Sequence, residues 1–233
     1  MKINKIHFDS IDSTNNYARN TAGKLALPAL ITAAEQTKGR GRNGKSFYSP
    51  ANTGLYMTVL FKANENFGLI TPCAAVCVCE ALREYGAYGC RIKWVNDIYL
   101  DGKKICGILT ERFSVNSEVY TSIGIGINLT TVSFPEEAGP AGSLGKDIPA
   151  QELAELIAWK ILACNENPDR DRILRQYEAA LFIKGKTVTF IIEGVKHRAK
   201  VTGINENCNL TLTDDEGNEH VLTSGEISIV INE

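Results

Sequence analysis

The chain has 233 residues, a formal net charge of -2, 44% hydrophobic residues and 22% charged ones. At roughly 100–200 residues per domain this supports one large domain or a large one with a small companion. The near-neutral charge excludes bulk attraction to nucleic acid or membrane, so any anion binding has to be local.

In chain order, "KIHFDSI" reads as a short strand, and Asp12 or Ser13 as the N-cap of a helix through "TNNYARNTAGKL" that Gly23 stops. "ALITAAEQT" is the next strand. After a cationic loop, "TGLYMTVLFK" alternates as a strand, and a helix is expected over about 71–85. "CRIKWVNDIYL", "KKICGILTERF" and "VYTSIGIGINL" are three β-runs, the first two joined by the tight-hairpin pair Asp101-Gly102. "TTVSFPEEAGPAGSLGKDIP" is a long Gly/Pro-rich loop, a kind that is commonly functional or mobile. Two helices follow, "PAQELAELIAWKILACNEN" and "PDRDRILRQYEAALF", the second with Pro168 placed in its first turn. From residue 184 onward four or five short strands separated by Gly, Asn and Asp turns predict a small separate β-barrel. The fold class is therefore α+β, a mixed β-sheet with flanking helices over 1–183 and a small all-β domain over 184–233.

No run of about 18 apolar residues marks a membrane span. Asp9 and Asp12 interrupt the N-terminal stretch where a signal peptide needs apolar residues. The seven cysteines are odd in number, form no Cys-x-x-Cys pair, and in "TPCAAVCVCEALREYG" read as small buried hydrophobes. Reduced thiols and the absence of a leader make the cytoplasm the expected setting.

The stretch "EQTKGRGRNGKSFYSP" (35–50) gathers Lys38, Arg40, Arg42 and Lys45 around Gly39, Gly41 and Gly44. By letters it matches both the dinucleotide fingerprint and the Walker A string. Either motif needs a helix opening directly after the glycines to present amide donors to phosphate. Pro50, Gly54 and a strand follow instead, so a P-loop NTPase is a discounted alternative. A solvated basic loop has no need of three glycines, each costly on folding. The pattern predicts a mobile anion-binding loop whose arginines offer planar forks to phosphate or carboxylate. Lys93, Asn96 and Asp97 in "KWVNDIYL", Lys103 and Lys104 in "KKICGIL", and Gly124, Gly126 and Asn128 in "GIGINL" stand at strand ends, where a scaffold holds reactive groups rigidly.

Taken together, "STNN" (13–16), the cationic loop, "KWVNDIYL-DGKKICGIL" and "GIGINL" resemble biotin protein ligases in motif order and spacing. The resemblance implies a catalytic fold like that of class II aminoacyl-tRNA synthetases, followed by an SH3-like β-barrel. It implies ATP-dependent formation of biotinyl-5'-AMP and transfer of biotin to a lysine of a biotin carboxyl carrier protein domain of a biotin-dependent carboxylase, with ATP, Mg²⁺ and biotin required. Carried over by motif, Ser13, Thr14, Asn15 and Gln36 line the biotin pocket, with Gly39, Arg40, Gly41 and Arg42 closing over biotin and the acyl-phosphate. Lys104, with Gly107 in the same motif, meets the carboxylate and α-phosphate. Arg40, Arg42, Asn96, Asp97, Lys104 and Asn128 serve the nucleotide, and Gly124 and Gly126 leave room for the bicyclic ring. Arg42, Lys104 and Asp97 are the expected catalytic groups; the metal ligands stay open, with Asp97 the expected neighbour of Mg²⁺. The sequence departs from the family at Asn43, Phe47, Val95 and Cys106, where Arg, Trp, Pro and a small residue are usual. A biotin-pocket motif beginning at Ser13 leaves no room for an N-terminal helix-turn-helix domain, so no DNA partner is expected; a homodimer is implied by resemblance alone. The alternatives are a lipoyl ligase, whose glycine-rich segment differs, and a nucleic-acid module built on the basic loop and the barrel.

Overall fold

A computed structural model describes residues 2–62, 67–192, 194–223 and 228–229. A seven-stranded sheet runs in the order β1-β2-β3-β7-β6-β5-β4. β1 (Asn4–Phe8) pairs parallel with β2 (Ala29–Ala33), and α1 (Thr14–Thr21) makes the crossover between them. Every other neighbour is antiparallel: β3 (Gly54–Phe61), β4 (Arg91–Lys93), β5 (Asp97–Leu100), β6 (Lys103–Val115) and β7 (Glu118–Asn128). α2 (Ile70–Glu84), α3 (Ala150–Glu166) and α4 (Arg170–Ala180) are the remaining α-helices among the described residues.

Strand alternation sorts the two faces. On β3, Leu55, Met57, Val59 and Phe61 enter the main core beneath α2 and α3, as Ile123, Ile125 and Ile127 do on β7. The intervening Leu60 and Tyr120 point the other way, into a small cluster with Ala18 and Ala22 of α1. Gly124 and Gly126 share that second face. Each glycine weakens a strand by roughly 0.5–1 kcal/mol. Burying one isoleucine contributes about 1.5–3 kcal/mol, so the three on the core face hold β7 in place while its other face stays bare.

The expected Asp101-Gly102 turn joins β5 to β6, with both residues at positive φ. "KWVND" is not one continuous strand. Residues 94–96 turn between β4 and β5, and the Trp94–Val95 peptide is cis. Trp94 is drawn down to donate from Nε1 to Cys208 O at 2.9 Å, and Asn96 bonds to Ile108. Pro168 lies just before α4 rather than in its first turn; Asp169 is the N-cap and accepts from Arg172 N at 2.9 Å.

All seven cysteines are buried free thiols. Cys73 and Cys77 on α2 and Cys164 on α3 touch at Sγ separations of 3.9 and 4.0 Å, the distance of sulfur atoms packed side by side. The carboxyl-terminal unit is a five-stranded antiparallel sheet, β11-β10-β9-β8-β12. It comprises β8 (Thr187–Ile192), β9 (Val195–Ile204), β10 (Leu210–Thr213), β11 (Glu219–Leu222) and β12 (Ser228–Ile229); the expected last strand otherwise falls outside the described residues. Its Val188, Phe190, Val201 and Leu210 join the main core, and Trp94 and Tyr177 pack with it.

Candidate functional site

The α1 face of the sheet carries a cavity of about 510 Å³. Its floor is the β6/β7 pair, where Gly107 and Gly126 are direct cross-strand partners. Its rim comes from the start of α1, the cationic loop, the 94–97 turn and the segment around Pro140.

Ser13 occupies the N-cap position of α1 without capping through its side chain. Ser13, Thr14 and Asn15 are almost fully buried against the cavity. Gln36 receives Thr14 N at 2.9 Å and Thr14 Oγ1 at 3.0 Å on its Oε1, and donates through Nε2 to Ser49 at 3.0 Å. Thr58 Oγ1 lies 2.8 Å from Thr14 Oγ1 and 2.7 Å from Asn15 Oδ1, so its one hydroxyl proton serves one of them at a time. A buried network of this kind fixes rotamers, because each unpaired member carries a desolvation cost.

The cationic loop is not the soft ribbon its glycines suggest. It is a small hairpin: Gly41 N donates to Lys45 O at 2.7 Å, Phe47 N to Gly39 O at 2.9 Å, and Arg40 bridges Ser46. Gly39 is needed because a Cβ there would sit 2.6 Å from Ser49 Oγ. The hairpin lies down across the cavity. Arg42 Nη1 donates to Asn96 Oδ1 at 2.9 Å, and Asn96 Nδ2 donates to Ile108 O at 2.7 Å. Phe47 lays its ring on the bare glycine floor, about where a Cβ on Gly107 or Gly126 would stand. At Gly124 the space is taken by the Asn15 amide. The two glycines of β7 thus admit side chains from the loop and α1 where a Cβ would otherwise stand, while both still line the cavity.

Lys104 Nζ is 2.7 Å from Asp97 Oδ1. That oxygen is buried, so the ion pair with Lys104 is poorly screened by solvent. The lining holds five cations (Arg40, Arg42, Lys45, Lys93, Lys104) and two carboxylates (Asp97, Glu137), which concentrates positive potential in a chain of net negative charge. Such a cavity can hold two anionic groups side by side and screen their repulsion.

Cys106 stands behind the site, fully buried, and burial holds its thiol well above the usual range, so it is not a nucleophile. Burial also pushes Tyr56 up to about 12; its hydroxyl stays protonated and donates to Pro50 O at 2.9 Å, fixing the end of the cationic segment.

Thirteen of the fifteen residues to which the resemblance gives a role line this cavity. Gly39 and Asn128 do not. Gly39 packs under the hairpin, and Asn128 is buried, donating from Nδ2 to Gly142 O at 2.9 Å. Asn128 thereby seats the 130–148 segment, which also runs alongside β6: Lys104 N donates to Pro140 O at 2.8 Å and Gly142 N to Lys104 O at 2.9 Å. Met57, Trp94 and Leu109 are further lining residues that the sequence did not mark; Phe47, noted there only as a departure from the family, and residues 137–140 of the long Gly/Pro-rich loop line it as well. Among the described residues no α-helix opens after the cationic loop before Ile70, and β3 follows it instead, which disfavours the P-loop alternative.

The sequence signature of the biotin/lipoate A/B protein ligase family matches residues 7–128. The chain is 34% identical over 170 residues to the bifunctional ligase/repressor BirA of Escherichia coli, covering 67% of this chain and 51% of that protein. It is 31% identical over 164 residues to the biotin--[acetyl-CoA-carboxylase] ligase of Paracoccus denitrificans, covering 63% and 67%. The chain thus spans about half the length of the bifunctional relatives it matches. Among solved structures, the biotin protein ligase from Aquifex aeolicus in complex with biotin and ATP superposes with a TM-score of 0.81 at 28% identity, covering 98% of this chain and 99% of that one.

Proposed function

Since the chain belongs to the biotin/lipoate A/B protein ligase family, we propose that it is an ATP-dependent biotin protein ligase. The observation that carries this reading is the convergence of Arg42 and Lys104, from different elements, on one walled cavity beside the Ser13–Thr14–Asn15 network.

In the first step the biotin carboxylate attacks the α-phosphate of ATP, pyrophosphate leaves, and biotinyl-5'-AMP forms. Two anions must approach, so the barrier falls when fixed cations are aimed at the charge that develops. Arg42 and Lys104 do this; the enzyme needs no nucleophile of its own, and the rest is positioning. In the second step a lysine amine of a biotin carboxyl carrier domain attacks the acyl carbon and AMP leaves. The mixed anhydride hydrolyses if wet. The cationic hairpin and residues 130–148 are the parts that exclude water from it.

Mg²⁺ belongs to this reading. Asp97 is a carboxylate of the cavity lining whose buried Oδ1 is held by the Lys104 ammonium, and Mg²⁺ is commonly held by one or two carboxylates together with substrate phosphates. Asp97 fits that role, with Asn96 beside it. When bound, the ion supplies further charge neutralisation at the phosphates. The reading also assigns residues 1–183 to catalysis and 184–233 to a small β domain, places the enzyme in the cytoplasm, and has it pair as a homodimer through a sheet edge.

Pyrophosphate release with ATP, Mg²⁺ and biotin, repeated without biotin and with lipoate in its place, tests the proposal. Release that depends on biotin is expected. Release equal in all three mixtures, or supported by lipoate alone, overturns it. Among the described residues, no helix is long and apolar enough to cross a membrane.

A further inference from the structure

The two arginines of the cationic hairpin have different environments. Arg40 meets Glu111 of β6 with two parallel bonds, Nη1 to Oε2 at 2.9 Å and Nη2 to Oε1 at 3.0 Å. Such a fork-to-fork pair is the strongest and most directional form of ion pair. The same carboxylate accepts Asn15 Nδ2 at 3.1 Å and Arg19 Nη1 at 3.4 Å, both from α1. Its side chain is only 15% exposed. Alternation along β6 puts Glu111 on the face of Gly107 and Leu109, at the end of the cavity floor. Arg42 pairs with no carboxylate among the described residues; its described partner is the neutral Asn96 amide.

We propose that Glu111 is a positioning residue that clamps the cationic hairpin and α1 onto the sheet through Arg40, leaving Arg42 as the arginine that meets the anionic substrate. This separates two arginines that the sequence placed together over biotin and the nucleotide: the first is paired with an anchor, the second faces the cavity with no carboxylate partner among the described residues. One carboxylate ties three elements together. By holding Asn15, whose Oδ1 also meets Thr58, it sets the floor and the cover of the pocket at once. The hairpin-holding part of the claim needs no substrate to be tested. Its consequence for ligation rests on the proposed function.

The experiment is limited trypsin digestion of the full chain without ligands, following cleavage after Lys38, Arg40, Arg42 and Lys45 by mass spectrometry across a salt series. In the native protein the clamp protects these bonds, and added salt weakens the protection because the pair is partly exposed. Glu111→Gln keeps the shape but not the charge, and is expected to raise cleavage about tenfold at low salt, the scale of a lost charged hydrogen bond, and to abolish the salt dependence. Arg40→Lys keeps the charge but not the fork, sits on an exposed residue that does not threaten folding, and is expected to fall between the two. In the biotin-dependent assay Glu111→Gln should raise KM for biotin about tenfold with kcat changed less, the pattern of lost binding rather than lost chemistry. Cleavage within twofold of the native rate in both variants, with an unaltered salt response, overturns the clamp. If the native protein shows no biotin-dependent turnover, the proposed function fails while the digestion result still decides the clamp.

Discussion

Two segments cover the same cavity and are held by opposite means. The cationic hairpin of residues 39–47 is fastened by side chains: Arg40 to Glu111 and Arg42 to Asn96. Residues 130–148 are fastened mostly by backbone: Lys104 N to Pro140 O, Gly142 N to Lys104 O, and Leu144 N to Asn128 O at 2.9 Å. A side-chain latch is charged, salt-sensitive and removable by one substitution. A backbone seam tolerates sequence change and yields only where a side chain or a glycine supports it. The hairpin is therefore suited to opening for substrates, and the 130–148 segment to acting as a standing wall.

Lys104 carries both kinds of contact at once, a side-chain ion pair to Asp97 and backbone bonds to Pro140 and Gly142, which makes it the sharpest place to test the contrast. Lys104→Ala removes the ammonium beside Asp97 and leaves the backbone bonds to Pro140 and Gly142 in place. Biotin-dependent adenylation is expected to fall by roughly two to three powers of ten, the scale of losing one charge-stabilising group. Hydrogen exchange across 140–146 is expected to stay as in the native protein. A loosened segment would show that the side chain, not the seam, holds this wall.

A smaller effect is expected at the hairpin tip. Arg42→Gly should speed release of free biotinyl-adenylate about tenfold or more, since charged hydrogen bonds contribute about 1.5–3 kcal/mol. Chromatographic measurement of released adenylate checks this, and equal leakage from both proteins would break the assignment of the tip as a retaining latch.

Smaller again is the effect on the seam. Asn128→Ala leaves the Gly142 carbonyl without its buried donor, at a cost of about 1–3 kcal/mol. The fall in urea midpoint should be accompanied by faster exchange at Leu144 and Lys146, and not at Gly41 or Phe47. Exchange rising equally in both segments would mean that they open as one unit.

The smallest effect lies remote from both. In the β10–β11 turn, the His220 contact, with help from Asn218 and Glu216, holds the half-buried Asp214 carboxyl well below the usual carboxylate range. A carboxyl depressed on folding adds stability above its unfolded pKa, about 3.9. That contribution is lost as pH falls through the folded value. Thermal melts of Asp214→Asn should therefore converge on those of the native protein as pH drops below 4, with neither cover segment altered. A gap that persists in acid contradicts the ion-pair account.

Much of the site could be read from the sequence because it depends on local chemistry. Glycines grouped with arginines, "KWVND" and "GIGIN" announce their charge and backbone freedom without reference to any neighbour. What stayed hidden depended on pairing. Nothing in "KWVND" contains the Gly or Pro that usually marks a turn, so its bend between β4 and β5 was read as strand. Glu111 lies in the β-run "KKICGILTERF" and drew no reading of its own. Asn128, expected at the nucleotide, gave no sign in the sequence that its amide also seats residues 130–148.

The amino-acid sequence alone determined which elements form, which strand face is apolar, and where the cations and bare backbone needed for an anion site are carried. These follow from periodicity and side-chain chemistry within a few residues. Only the tertiary structure decided which of the two arginines is neutralised. That depends on β6 bringing a carboxylate 71 positions away against the hairpin, and register between distant strands is set by the packing of the whole sheet.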